Sequence, residues 1–141
     1  MNTARASRRL IVAGAALAAL ATFVGAVAFG APETPLTVEI HIRYSSYRPS
    51  LMSVPAGRPI QFMIVNDDPI EHEWIVGDAQ VHAVHRTGTD AHHGARPTEV
   101  SIPALGRVTT TVTFPVRGSQ QFICHLPGHE AFGMVGTLEI R

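Results

Sequence analysis

The sequence predicts an all-β sandwich of seven or eight short strands, preceded by an N-terminal hydrophobic segment. Three observations carry that reading. Apolar and polar residues alternate at period two in several short runs. Clusters of Gly, Pro, Asn and Asp separate those runs. Past the N-terminal segment no stretch shows the 3.6-residue apolar period of an amphipathic helix, and no internal repeat is visible.

Residues 1–31 read as a signal peptide or an N-terminal membrane anchor. MNTARASRR is a basic start, and Leu10 to Ala31 carries no charge, with Thr22 its one clearly polar residue. Ala26-Val27-Ala28 offers a cleavage site of the A-x-A kind. The apolar run 10–31 is also near the length that spans a bilayer, so anchoring through it stays open. Arginines before it would keep that end in the cytoplasm. Ser7-Arg8-Arg9-Leu10-Ile11 partly resembles a twin-arginine export signal, a route taken by folded, cofactor-loaded proteins. Either outcome places residues 32–141, the expected folded domain, outside the cytoplasm: periplasmic, secreted or on the cell surface.

The domain follows in order. Ala31 to Pro35 is a spacer. In LTVEIHIR, Val38, Ile40 and Ile42 share one face and Glu39, His41 and Arg43 the other, which predicts a surface position for His41. Tyr44 to Ser50 reads as a loop, and Leu51 to Val54 as a strand ended by Pro55-Ala56-Gly57. Ile60, Phe62 and Ile64 alternate with Gln61, Met63 and Val65 until Asn66-Asp67-Asp68-Pro69 stops the run. His72 opens the next strand with Trp74 and Val76 on its own face, an imidazole aimed at the core straight after a loop. Gly77 to Pro97 reads as a long polar loop holding His82, His85, His92 and His93. Those four imidazoles would bind a second metal, cover a first site or respond to pH; a plain solvated loop is the simpler alternative. Strands are expected again at Glu99–Ile102, Val108–Phe114, Gln120–Cys124 and Gly136–Ile140, with Phe122 and Cys124 facing the core.

Charge excludes one class of function. The chain has 11 Arg, no Lys and 11 acidic residues, and three of the Arg lie in the leader. The remainder is mildly acidic, which argues against nucleic acid as a partner. One cysteine cannot make an internal disulfide. In an exported chain it is a free thiol, an intermolecular bridge or a metal ligand.

Chemistry concentrates in Phe122–Val135, FICHLPGHEAFGMV. His129 follows Cys124 by five residues and Met134 follows His129 by five. Neither a helix nor a strand puts that spacing on one face. Pro127, Gly128 and Gly133 instead predict a loop that curls around a point. Thiol, imidazole and thioether converging on one point suit a soft or borderline ion. Two His and one Cys with a weak axial Met is the blue-copper set, and the second His has to come from elsewhere. Zinc sites use Cys, His and carboxylate, not thioether. A Cys/His nucleophile leaves Met134 without a role. Taken singly, each residue also reads as buried filler or loop surface.

YRPSLMSVPAGRPIQFMIVNDDPIEHEW, FICHLPGHEAFGM and the strand order together resemble the cupredoxins, the small type 1 (blue) copper proteins such as plastocyanin and azurin. The likeness covers about residues 36–141. It implies a Greek-key sandwich holding one copper at one end, with His72, Cys124, His129 and Met134 as ligands. It implies a one-electron carrier and not an enzyme, meeting redox partner proteins transiently through the ligand loop: Leu126, Pro127 and Gly128, with Phe132 beside them. The alternative is an extracytoplasmic copper carrier or sensor that uses the histidines of 82–93. CHLPGHEAFGM also looks like the mononuclear site of multicopper oxidases, but Ile123 stands where those carry a first His and the His-x-His pairs are absent. His125 is therefore expected as an outward-facing residue at the strand end. Many family members carry Asn or Ser after the first His ligand, where it bridges the two ligand loops; this chain has Glu73, and Asn66 is the expected substitute.

Overall fold

A computed structural model describes residues 34–88 and 92–141. The leader expected at 1–31 lies outside the described residues. Among those described, no helix is long and apolar enough to cross a membrane.

Among the described residues nine strands form two sheets: β1 (Leu36–Ile42), β2 (Tyr47–Arg48), β3 (Leu51–Val54), β4 (Pro59–Asn66), β5 (His72–Gly77), β6 (Glu99–Ile102), β7 (Arg107–Thr113), β8 (Gly118–Ile123) and β9 (Val135–Ile140). One sheet runs β2-β1-β4-β7 and the other β3-β9-β8-β5-β6. The pairs β1–β4 and β3–β9 are parallel and the remaining pairs antiparallel. The expected strands are present within a residue or two. The addition is β2, two residues inside the expected loop Tyr44–Ser50, paired with His41 and Ile42 of β1.

Period two builds the core. Ile40 and Ile42 of β1, Ile60, Phe62 and Ile64 of β4, Trp74 and Val76 of β5, and Phe122 at the end of β8 all point between the sheets and are buried. The Phe62 and Trp74 rings lie 4.9 Å apart, and Tyr47 meets Phe122 edge-on at 5.0 Å. Each such pair adds about 0.5–1.5 kcal/mol beyond its buried area. His41 lies on the surface as expected, between Glu39 and Asp67.

The stretch Gly77–Pro97 departs from expectation. It contains a helix, α1 (Ala79–His85). Asp78 caps it, its carboxylate accepting from the N–H groups of Gln80 and Val81 at 3.0 Å, a cap worth about 1 kcal/mol. The helix packs on the outer face of β5. Gly77 permits that approach: a β-carbon there would stand 2.5 Å from Val81. Seven residues are too few to show a helical period, which is why the segment reads as a loop.

Candidate metal centre

The strand ends and one loop converge at one end of the sandwich. His72 is the first residue of β5, Cys124 follows β8, and both are fully buried. The loop 124–134 is a chain of tight turns: His129 N–H donates to the Leu126 carbonyl, Phe132 N–H to Gly128 and Gly133 N–H to Glu130. Gly133 adopts φ +90°, a region that side chains avoid, and the turn there sends Met134 inward to complete burial. Backbone bonds pin the ends together. Met134 N–H donates to the His129 carbonyl at 2.9 Å, and Cys124 N–H to the Met134 carbonyl at 3.3 Å.

His129 Nδ1 lies 3.2 Å from both Cys124 Sγ and His72 Nδ1. The donor atoms of these three residues all fall within 4.8 Å of one another. His72 is oriented from behind. Its Nε2 lies 3.0 Å from Asp68 Oδ2; a carboxylate accepts, so Nε2 carries the hydrogen and Nδ1 presents its lone pair to the site. Asp68 is itself held by the N–H groups of Tyr44 and Ser45, each at 2.7 Å. Burial pushes the Asp68 carboxyl up, but those N–H groups and His72 outweigh it and keep it below its ordinary range. Burial lowers the pKa of His72, favouring the neutral ring that a metal needs. Burial pushes the Cys124 thiol up to about 11, against the pull of the Glu73 and Leu126 N–H groups. At neutral pH this sulfur becomes a thiolate only by exchanging its proton for a cation. Two ring nitrogens, a thiol and a buried thioether therefore fit copper.

Asp68 escaped the sequence reading. Its signal is position: four residues before His72, in the turn that stops β4. Asn66 does not bridge the ligand loops as expected. Its side-chain amide donates to the Ile70 and Pro103 carbonyls, and its side-chain oxygen accepts from Asp68 N–H, so it shapes the turn that carries Asp68. Glu73 itself makes the bridge. Its N–H donates to Cys124 Sγ at 3.4 Å, and its carboxylate accepts from His125 N–H at 3.1 Å.

His125 turns outward from the core as expected, yet it is covered. It faces α1, with a side chain only 4% exposed. His82 Nε2–H donates to the Gln121 carbonyl, so His82 Nδ1 accepts from His125 Nε2–H at 2.9 Å. Burial and the neighbouring His82 push His125 down to about 4, so the ring is neutral near pH 7. The four histidines of 82–93 do not form one group. His82 pairs with His125, and His92 is exposed beside Glu71. His85 and His93 meet Glu99.

Comparison with known proteins agrees with this geometry. The model of the cupredoxin-like domain family matches residues 11–134. The chain is similar to the copper-resistant cuproprotein CopI of Pseudomonas aeruginosa, 27% identical over 150 positions that cover 81% of this chain and 83% of the relative. It is 31% identical over 99 positions to the copper-resistant cuproprotein CopI of Rubrivivax gelatinosus, covering 67% of this chain and 59% of that protein. The structure of auracyanin B is similar in fold, with a TM-score of 0.64 and 25% identity over 77% of this chain and 91% of its own.

Proposed function

The chain belongs to the cupredoxin-like domain family, and from that premise we propose that it is an exported copper protein that carries single electrons by outer-sphere transfer. The observation that carries the reading is the meeting of the His72, Cys124 and His129 donor atoms within 4.8 Å, beside fully buried Met134. Copper bound there supplies a one-electron couple. Four protein donors leave no open position for a substrate, which favours a carrier over an enzyme. The brace from Asp68 to His72 and the bonds pinning Cys124 to Met134 hold the donors in one arrangement through a change of charge. His129 is half-buried while the other three donors are buried, so it is the ligand nearest to solvent. Exposed Pro127, Gly128 and Phe132 surround its loop, Phe132 at 86% exposure. A small apolar rim of this kind suits a weak, transient contact with a redox partner protein. The hydrophobic, charge-free run 10–31 supports an extracytoplasmic location, by cleavage or by anchoring.

The name shared by the two CopI relatives, copper-resistant cuproprotein, favours a second reading: an extracytoplasmic copper carrier or sensor. Voltammetry of the copper-loaded full chain separates the two. A reversible one-electron couple supports the electron carrier. Met134→Leu is then expected to keep its copper and show a higher potential, because a thioether donor to Cu(II) is lost. Copper released on reduction would move the reading to copper handling.

A further inference from the structure

Strand alternation points successive side chains of β5, and of the chain leaving β8, in opposite directions. His72 and Cys124 face the metal centre. The next residue of each, Glu73 and His125, faces the outer side of the sheet beneath α1. There the chain gathers His85 from α1, His93 from the strap that follows and Glu99 from β6.

We propose that His85, His93 and Glu99 form a second site for a divalent copper ion, back to back with the first. The proposal is independent of the redox reading above. Glu99 Oε2 lies 3.6 Å from His85 Nε2 and 4.0 Å from His93 Nδ1. Both gaps are below twice a metal–nitrogen bond of about 2.0–2.1 Å, and all three donor atoms lie within 4.8 Å of one another, so side-chain adjustment of under about an ångström brings them onto one ion. The rings are turned for it. His85 Nδ1–H donates to the Val81 carbonyl at 2.8 Å, which leaves Nε2 as the free lone pair. His93 has its Nε2 3.4 Å from Glu73 Oε1, and its Nδ1 faces Glu99. This repeats the device at the first centre, where Asp68 stands behind His72. Arg96 donates to Glu99 Oε1 at 3.0 Å and leaves Oε2 for the ion. Glu73 is buried and stands behind His93, where a carboxylate orients a metal-bound ring. Clefts of about 370 and 430 Å³, both lined by His85 and His93, provide a way in. Two imidazoles and a carboxylate suit a borderline ion, and Cu(II) binds such sets most tightly among divalent first-row ions.

The test is metal analysis with absorption and EPR spectra of the full chain after Cu(II) loading and desalting. Two coppers per chain are expected, the second with an ordinary tetragonal signal. His93→Gln and Glu99→Gln should each leave one copper and keep the intense visible band. Cys124→Ser should lose the band and keep the tetragonal signal. Glu73→Gln, a positioning change, should weaken the second copper roughly 10–100-fold, as outer partners of metal-bound His do. Thermal melts of the metal-free variants establish folding; if His93→Gln fails to fold, Glu99→Gln carries the same readout. One copper per chain in the unaltered protein, or a second copper that survives in every folded variant, overturns the proposal. A tetragonal signal that vanishes in Glu99→Gln upholds it even if no visible band ever forms.

Discussion

Two histidine clusters lie on opposite sides of the peptide bond between Cys124 and His125, and they differ in how the chain assembles them. The first draws three donors from one eleven-residue loop, Cys124 to Met134, and a fourth from a strand end. The second draws on a helix, a strap and a strand, and no two of its donors share an element. The first contains sulfur and is braced by a carboxylate that two backbone N–H groups fix. The second contains nitrogen and oxygen, with one ring tied to a carbonyl of its own helix. A soft, pinned site suits an ion that changes charge without moving. A harder site flanked by clefts suits an ion that comes and goes.

The sharpest way to break that contrast is to remove the brace. Asp68→Asn takes the ionised acceptor from His72 Nε2–H. Copper affinity at the first centre is expected to fall about 10–100-fold, measured by competition with a chromophoric Cu(I) chelator. The second cluster, which Asp68 does not touch, should keep its affinity. Equal weakening of both would mean that they are not separate sites.

A second way uses protons. The Cys124 thiol is pushed up to about 11, so at neutral pH the metal-free protein holds a proton that the copper form releases. Below that pKa, copper affinity at the first centre should rise about tenfold per pH unit, followed with a pH indicator during titration. The buried His125 is already neutral near pH 7 and adds no proton there. Its sign is opposite in its effect on folding. Its folded pKa lies below the unfolded value, so its stability contribution is full above about 6.5 and is lost as pH falls toward 4.

The smallest effect probes what joins the two regions. Arg86, the C-cap of α1, donates to Glu130 of the ligand loop through Nε at 3.0 Å and Nη2 at 2.5 Å. Both side chains are partly exposed, so Arg86→Ala should hardly move the midpoint of a thermal melt. The position of the visible band should hardly move. A large shift would mean that α1 helps to set the geometry of the first centre.

The same contrast explains what was legible in the sequence. Cys124, His129 and Met134 announce themselves because a loop keeps its ligands close along the chain. His72 shows through strand alternation, and so do the core positions Ile60, Phe62, Ile64 and Phe122. The second cluster shows only in part: His85 and His93 stand among the four histidines of 82–93, but Glu99 and the separation from His82 and His92 do not show. Its donors meet only after α1 folds onto β5, and a seven-residue helix leaves no period to read. Alternation turns His125 away from the core, and only α1, a helix too short to read, covers that face. Glu73 looked like a missing Asn or Ser, yet its carboxylate accepts from His125 N–H and so makes the bridge expected of them.

The central claim is that copper sits at Cys124. It is tested most directly by absorption and EPR spectra of the Cu(II)-loaded full chain beside Cys124→Ser. The account predicts an intense visible band and a narrow copper hyperfine splitting in the unaltered protein, both absent from the variant. No such band in the unaltered protein, or the same band in Cys124→Ser, would contradict it.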